Sequence, residues 1–320
     1  MKKTMVFAIL ALLLLSCSAP KLKILTLKGS TDNKLEVLDW GGNGEAIIFL
    51  TGLGNSAHVY QSFAPKFTNN YHVYGITRRG FGQSERTQNG FHVDTLVNDI
   101  VKVMDQLQLK KAILVGHSIA GDELSSFAKM YPDRLIATIY LDAAYSHAHV
   151  LDLFGNWPQL PLGADSLTAF ASAENIVAYS KKHDGFETPI EEILATNKFD
   201  KTGRLINDTS ALASLAFTEI IKFAAPVSYK ETQCPSLAIY GKRVNELELF
   251  RDYPLFDSSR KRQASEAMPT WLTYYAGETK NYRENCAKGH IVEIPNGHHY
   301  VYLSHPAETE AEIRKFLKSL

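Results

Sequence analysis

Ser118 is the first residue whose setting points to chemistry, and it lies in the stretch GHSIAG (116–121). The apolar run AILVG (112–116) before it predicts a strand, and the residues after it predict a helix. Small residues two positions before and after the serine allow the backbone a tight, strained turn between strand and helix. The N-terminus of the following helix favours developing negative charge beside the serine. This pattern predicts a nucleophilic serine.

A serine nucleophile requires a base within hydrogen-bonding distance, and the base requires an acid that orients it. The stretch NGHHYVYLSHP (296–306) offers His298 and His299 as the base. Candidate acids lie where strands end: Asp142 ends the predicted sixth strand, and Glu246 follows the predicted seventh strand. The residue types alone leave both choices open.

The strands that must position these residues are short, continuous apolar runs that alternate with helical stretches. This alternation is typical of a parallel sheet covered by helices on both faces, and two earlier segments with partial alternation predict antiparallel strands leading into it. The predicted fold class is therefore α/β, with a doubly wound and mostly parallel sheet. The predicted strands are 46–52, 71–77, 112–116, 136–144, 236–241 and 290–295, and the predicted helices lie near 92–109, 119–131, 262–285 and 306–319.

One connection breaks the alternation, because the segment between the sixth and seventh strands is far longer than the dozen or so residues that a crossover needs. It contains several helical stretches and has the same composition as the rest. Residues 145–230 are therefore predicted to form a helical lid inserted after the sixth strand. The rest of the chain is predicted to consist of a signal peptide over residues 1–16, a tether with the first strand over 17–32, and an α/β core formed by 33–144 and 231–320.

The chain resembles the α/β-hydrolases from about residue 33 to the C-terminus, apart from the variable lid. The resemblance depends on four short stretches of sequence. A single matching stretch would occur by chance, whereas four stretches in the right order and at the right strand ends are specific. Three residues depart from the usual family pattern. Ala120 occupies a position near the serine that is more often glycine, Thr51 a position that is often histidine, and Thr77 a position that is usually aspartate. The four stretches are GHSIAG (116–121), which resembles the nucleophile elbow, IIFLTGLGNS (47–56), which resembles the oxyanion loop, TRRGFGQSE (77–85), which resembles a family turn, and IPNGHHYVYLSHPAE (294–308), which resembles the catalytic-histidine loop.

This resemblance implies a role for each candidate residue around the nucleophile. Counting back from Pro306, which begins the last helix, aligns the catalytic histidine of the family with His299, whereas counting forward along the loop selects His298. We expect His299 to be the base, with His298 as the alternative. The backbone amides of Leu53 and Ile119 are implied to form the oxyanion hole.

The position at which the family usually carries its acid is occupied by Val244, three residues after the glycine of SLAIYG (236–241). Some members of the family place the acid after the sixth strand, which implies Asp142, although a Leu-Asp pair there has a structural role in other members. A small shift in the later loop would instead bring in Glu246. Asp142 is the expected acid and Glu246 the alternative, while an acid elsewhere, or none, stays open.

Together, the resemblance implies a serine hydrolase that cleaves a small carboxylic ester, or an amide or amino-terminal peptide, through an acyl-enzyme. Serine at the elbow argues against the dehalogenase and epoxide hydrolase chemistry that the family performs with aspartate. No cofactor and no metal are expected.

The stretch GLGNSA (52–57) fits a dinucleotide-binding pattern, but it lies on the third strand and lacks the acidic residue expected about 20 positions later. The alternatives to a serine hydrolase are an inactive hydrolase-fold protein that binds or senses a ligand and, more weakly, a cofactor-free lyase.

The N-terminus predicts export. Lys2 and Lys3 precede the apolar run VFAILALLLL (6–15), which is too short to span a bilayer and is typical of a secretory signal. The stretch LLSC, which ends at Cys17, resembles the bacterial lipobox and implies a lipid-anchored protein of the cell envelope, at the outer membrane or facing the periplasm. Cleavage near Ala19, to give a free periplasmic protein, is the alternative.

Export also affects the interpretation of Cys234 and Cys286, which precede the last two predicted strands. If those strands are neighbours in a parallel sheet, the two cysteines lie near the same edge and form a candidate disulfide. The alternative is two buried thiols.

The charge balance limits the partners. Lys plus Arg equals Asp plus Glu at 34 each, so the composition gives no sign of the basic surface that nucleic-acid binding requires. The expected partners are a small-molecule ester or amide substrate and, through the lipid anchor only, the membrane.

Overall fold

A mixed sheet of eight strands with helices on both faces forms the centre of the protein. The computed structural model describes residues 22–148, 153, 155, 157–159, 171–206, 211–224 and 226–320. In chain order the strands are β1 (Lys23–Lys28), β2 (Lys34–Gly41), β3 (Ala46–Leu50), β4 (His72–Ile76), β5 (Ala112–His117), β6 (Leu135–Leu141), β7 (Ser236–Lys242) and β8 (Gly289–Pro295). The prediction of a doubly wound α/β sheet is confirmed.

The strand directions place the candidate residues at one edge of the sheet. Across the sheet the order is β1-β2-β4-β3-β5-β6-β7-β8. The pairs β1–β2 and β2–β4 are antiparallel, and all the other pairs are parallel. Parallel strands end at a common edge, so the residues that follow β5, β6, β7 and β8 meet there.

Some of the helices begin at a residue whose side chain caps the first turn. The side chain of His92 accepts a hydrogen bond from the amide of Asp94 at the start of α1, and Asp257 does the same for the amide of Arg260 at the start of α7. The helices are α1 (Val93–Gln106), α2 (Ala120–Met130), α3 (Ala173–Asp184), α4 (Ile190–Thr196), α5 (Ala211–Lys222), α6 (Glu246–Leu249), α7 (Ser258–Asn285), α8 (Val301–Ser304) and α9 (Pro306–Leu317).

The long connection between β6 and β7 contains α3, α4 and α5, together with a hairpin that pairs Lys198–Phe199 with Leu205–Ile206. The helices α3, α4 and α5 agree with the helical stretches that the sequence predicts between the sixth and seventh strands. Its role as a lid, and the proposed division of the chain into domains, stay predictions.

The core consists of two apolar layers, one on each face of the sheet. Successive residues of β3 alternate between them: Ile48 packs in the layer that contains Trp271 of α7, and Phe49 packs in the layer that contains Phe316 of α9. Burial on both faces explains why the central strands are continuous apolar runs.

The N-terminal predictions lie outside the described residues, because the signal peptide and Cys17 precede residue 22. Across the part of the chain that the structure describes, no helix is long and apolar enough to cross a membrane. Cys234 and Cys286 precede the paired strands β7 and β8, as the sequence suggested, but both are free cysteines in the structure, which therefore does not contain the candidate disulfide.

Candidate active site

Ser118 occupies a strained turn between β5 and α2. Its φ is +54°, a left-handed conformation that non-glycine residues rarely adopt. A Cβ atom added to Gly116 would lie 3.1 Å from the Cβ of Ala120, so the positions two before and two after the serine face each other across the turn. A Cβ atom on Gly121 would lie 1.8 Å from the carbonyl oxygen of Ala143, which leaves room only for glycine. The small residues of the stretch therefore have direct steric causes.

His299 reaches Ser118 from the loop that follows β8. The imidazole Nε2 atom lies 2.9 Å from Ser118 Oγ. The loop turns at Asn296, whose φ is +55°, and passes so close to β7 that a Cβ on Gly241 would lie 2.6 Å from the carbonyl oxygen of Gly297. This close approach fixes the height of the histidine above the sheet.

Asp142 lies directly after β6 and completes a chain of hydrogen bonds. Its Oδ2 atom is 2.8 Å from His299 Nδ1. Its Oδ1 atom accepts hydrogen bonds from the hydroxyl of Tyr145 and from the amide of Gly241, both at 2.9 Å. The residue is fully buried, and its φ is +44°, so the backbone is strained here as at Ser118.

A buried arginine also contacts the carboxylate of Asp142. Arg243 Nη2 lies 2.7 Å from Asp142 Oδ2, the same oxygen that faces His299. Burial alone would raise the pKa of Asp142, but the charge of Arg243 and the hydrogen bond to His299 outweigh burial and hold that pKa well below its ordinary value. Asp142 is therefore an anion at neutral pH, although it has no contact with solvent.

His117 supports the histidine loop from below. Its Nε2 atom lies 3.0 Å from the carbonyl oxygen of His299, and the two rings are 4.7 Å apart. Burial, together with the neighbouring His299, lowers the pKa of His117 well below its ordinary value. A neutral His117 donates to the carbonyl through Nε2–H, so its role is to hold the backbone of the loop.

The alternative residues lie away from the nucleophile. His298 Nδ1 accepts a hydrogen bond from the amide of Tyr300, and its ring packs 4.9 Å from that of Phe186. Glu246 begins the short helix α6, where its carboxylate accepts a hydrogen bond from Ser265 Oγ at 2.8 Å. Of the alternatives weighed from the sequence, His299 and Asp142 are the two that the fold brings to Ser118.

The loop proposed for the oxyanion hole, residues 52–56, is held from two sides. A Cβ on Gly52 would lie 2.6 Å from His117 Nδ1, so the loop lies directly against the elbow. Glu192 of α4 accepts hydrogen bonds from the amide of Ser56 at 3.0 Å, from Ser56 Oγ at 2.5 Å, and from Asn55 Nδ2 at 3.0 Å. We call residues 52–56 the oxyanion loop.

The two proposed oxyanion donors lie on this loop and on the elbow. Leu53 belongs to the oxyanion loop, and Ile119 is the N-cap of α2, where the first amides of a helix lack intrahelical partners. The side chains of both residues pack in one apolar cluster with Ala216 and Ile220 of α5. The inserted segment thus contributes an apolar wall beside the serine.

The charged residues Arg243 and Glu192 are absent from the sequence predictions, and neither belongs to a recognisable pattern. Arg243 immediately precedes Val244, which is itself 51% exposed, and Glu192 lies in the inserted segment, where no motif applies. The only signal in the sequence is that an arginine stands next to the vacated acid position.

Among the described residues, no group of three or more histidine, cysteine, aspartate or glutamate side chains is arranged to hold a metal ion.

Comparison with known proteins agrees with the fold. The sequence model of the alpha/beta hydrolase fold family matches residues 45–215. Epoxide hydrolase B from Mycobacterium tuberculosis is 24% identical over 254 residues, which are 73% of this chain and 65% of that protein. A 2-(acetamidomethylene)succinate hydrolase from Mesorhizobium japonicum is 25% identical over 112 residues, which are 35% of this chain and 40% of that protein. The chain thus spans less than two thirds of the length of either relative.

Solved structures show the same architecture. The crystal structure of an E-2-(acetamidomethylene)succinate hydrolase aligns with a TM-score of 0.63 and 17% identity, covering 93% of this chain and all of that one. A membrane phospholipase A described as a bacterial virulence factor aligns with a TM-score of 0.63 and 17% identity, covering 93% of this chain and 86% of that one. Identities this low establish a shared fold alone. Because the family model spans more than half of the residues and the sheet has the same design, this chain belongs to the α/β-hydrolase-fold family.

Proposed function

We propose that the protein is a serine hydrolase that cleaves a small carboxylic ester, or an amide, through Ser118, His299 and Asp142. The observation that carries the proposal is the unbroken chain of hydrogen bonds from Asp142 through His299 to Ser118, with distances of 2.8 and 2.9 Å. An ionised carboxylate only accepts hydrogen bonds, so His299 donates through Nδ1–H and its Nε2 atom accepts from the serine hydroxyl. This is the tautomer that a general base requires.

The reaction follows from that arrangement. Ser118 Oγ attacks the carbonyl carbon of the substrate while His299 Nε2 takes the hydroxyl proton, and Asp142 stabilises the imidazolium that forms. The amides of Leu53 and Ile119 stabilise the oxyanion of the tetrahedral intermediate. His299 then gives its proton to the leaving group, and water, activated by the same base, cleaves the acyl-enzyme.

The residue at the elbow separates this chemistry from that of one relative. Epoxide-opening members of the family use aspartate as the nucleophile, whereas position 118 is serine, which favours acyl transfer. A catalytically inactive binding protein is the second function suggested by the sequence, on the strength of Val244 at the usual acid position. The contact between Asp142 and His299 argues against it, since a base with its acid partner is available.

The test uses a fluorophosphonate probe and a panel of short-chain p-nitrophenyl esters. Wild type is expected to be labelled and to hydrolyse at least one ester, and Ser118→Ala is expected to do neither. Glu246→Gln is the matched acidic control and is expected to behave as wild type. A wild-type protein that is folded but not labelled would exclude the serine hydrolase and leave the binding protein.

We also propose that the mature protein is attached to the bacterial cell envelope through a lipid on Cys17. The supporting observation is the short apolar run that ends in LLSC. Labelling of cells with an alkyne-bearing fatty acid is expected to mark wild type and not Cys17→Ala. Equal labelling of the two proteins would exclude the anchor.

A further inference from the structure

Arg243 is a buried cation whose position is fixed at both ends. Its guanidinium group donates to Asp142 Oδ2 at 2.7 Å and lies with its central carbon 4.6 Å from the centre of the Trp271 ring. The indole N–H of Trp271 donates to the carbonyl oxygen of Arg243 at 2.9 Å. The side chain of Arg243 is only 8% exposed. A cation held in this way acts on its surroundings with little screening by water.

The important feature is that Arg243 and His299 share one carboxylate oxygen. Hydrogen bonds of 2.7 and 2.8 Å to Asp142 Oδ2 place the two nitrogen atoms within about 5.5 Å of each other. Protonated His299 would therefore stand beside a permanent positive charge. We propose that Arg243 is a positioning residue that keeps Asp142 ionised and fixed in place while making His299 easier to deprotonate, so that the base is available at lower pH. This rests on the function proposed above.

The histidine and tyrosine side chains that the structure places around Asp142 and His299 are neutral. Burial lowers the pKa of His117 well below its ordinary value and lowers the pKa of His298 to about 3, so both rings are neutral at neutral pH. The tyrosines that surround the acid have pKa values that burial raises, so they are neutral below pH 10. These tyrosines are Tyr145, Tyr240 and Tyr275.

One further cation lies near this region. Arg251 donates to the side chain and the carbonyl oxygen of Asn296, at 2.7 and 2.6 Å, at the start of the histidine loop. It contacts the loop and not the carboxylate of Asp142, so it does not share the oxygen through which Arg243 faces His299. Arg243 is thus the cation that is bound to the acid itself.

The size of the effect follows from the separation. Two unit charges about 5.5 Å apart in a medium with an effective dielectric constant of about 20 repel each other enough to move a titration by about two pH units. His299 is 36% exposed on its side chain, and solvent reduces the effect towards about one unit. Loss of the charge at position 243 is therefore expected to move the acid limb of the kcat/KM profile upward by about one to two pH units.

Two substitutions separate the charge of Arg243 from its hydrogen bond. Arg243→Gln keeps a donor near Asp142 and removes the charge, whereas Arg243→Lys keeps the charge and loses the planar stack on Trp271. The acid limb is expected to move up by about one to two pH units in Arg243→Gln and by less than about half a unit in Arg243→Lys. A residue that only supports the fold would lower kcat/KM at every pH and leave the limb in place.

The control is the same substitution at another buried arginine. Arg79 is fully buried and pairs with Asp99 at 2.6 Å, away from the triad. Arg79→Gln is expected to be less stable than wild type but to keep its acid limb, which shows that general destabilisation does not move the profile. If Arg243→Gln leaves the limb within about 0.3 pH units of wild type, or if Arg243→Lys moves it as far, the proposal is overturned.

A second measurement does not depend on turnover. In a Ser118→Ala background, the imidazole resonances of His299 are followed by NMR as the pH is changed, with and without Arg243→Gln. A titration that moves upward with the second substitution supports the role of Arg243 even if no ester is hydrolysed. An unchanged titration overturns that role even if the wild type is an active hydrolase. The two proposals can therefore fail separately.

Discussion

Replacement of Asp142 by asparagine is the most informative change in the site, because the four donors around the carboxylate leave an amide no good orientation. Oδ1 accepts from Tyr145 and from the amide of Gly241, and Oδ2 accepts from Arg243 and His299. The NH2 group of an asparagine must therefore face two donors in either orientation. If it faces His299, the imidazole has to turn its proton to Nε2, which is the wrong tautomer for a base.

Two separate losses are expected from Asp142→Asn. In a serine protease, the equivalent change lowers kcat by about 10⁴, which corresponds to about 5.5 kcal/mol of transition-state stabilisation. We expect a loss of about 10³ to 10⁴ in kcat/KM here. In addition, Arg243 is left as a buried charge without its partner, which typically costs about 3 to 5 kcal/mol in the free energy of unfolding.

A double substitution separates the two losses. Asp142→Asn combined with Arg243→Met removes both charges, so no buried ion is left unpaired, and most of the lost stability is expected to return. The activity is not expected to return, because His299 still lacks its acid. Guanidinium unfolding measures the first quantity, and ester hydrolysis per mole of folded protein measures the second.

The outcome that would refute this reasoning is an Asp142→Asn protein within about tenfold of wild type in kcat/KM at every pH. It would mean that another group orients His299. If instead the double variant were no more stable than Asp142→Asn, the ion pair with Arg243 would not be the source of the lost stability.

Three further changes test other contacts. Glu192→Ala removes the acceptor that holds the oxyanion loop and is expected to lower kcat by about 10- to 100-fold with a smaller change in KM, whereas Glu192→Gln retains an acceptor and much of the rate. Burial raises the pKa of Asp184 to about 6, so the folded state binds this proton more tightly than the unfolded state, and stability falls as the pH rises from about 4 to 6. Asp184→Asn does not titrate, so it is expected to raise the melting temperature at pH 8 and not at pH 3.5; a gain of equal size at both would contradict the assignment. Gly121→Ala places a Cβ atom against the carbonyl oxygen of Ala143 and is expected to cost about 3 kcal/mol or more of unfolding free energy, while Gly277→Ala in α7, where nothing lies within 4 Å, is expected to add up to about 1 kcal/mol.

The architecture was accessible from the sequence because its signals are local. Continuous apolar runs identify strands that are buried on both faces, and the small residues around Ser118 are required by contacts within the same turn. The ends of helices were predicted less accurately where the residue that ends the helix is not one of the usual types, such as glycine. The first helix was predicted to reach residue 109 but ends at Gln106, and Gln108 has a φ of +57° although it is not a glycine.

The surroundings of the triad were not accessible, because they depend on contacts between distant parts of the chain. Glu192 reaches the oxyanion loop across more than 130 positions in the sequence, and Arg243 reaches Asp142 across about 100. Neither contact leaves a periodic pattern or a fixed spacing behind. The candidate disulfide illustrates the same limit: the strands that follow Cys234 and Cys286 are neighbours, which was the condition for pairing, but adjacency of strands does not fix the separation of two thiols.

The valine at the usual acid position makes physical sense once its neighbour is considered. The loop after β7 contributes a buried cation, Arg243, while Val244 turns outward and is half exposed. An aspartate at that outward position would be solvated, whereas the acid after β6 is fully buried and needs a cation to remain ionised without water. With Asp142 as the proposed acid, the arginine in the loop after the next strand supplies the charge that a buried carboxylate needs. The buried Asp142 and the buried Arg243 therefore belong to one arrangement. In it, the positive charge of Arg243 takes the place of the water that would stabilise an exposed carboxylate.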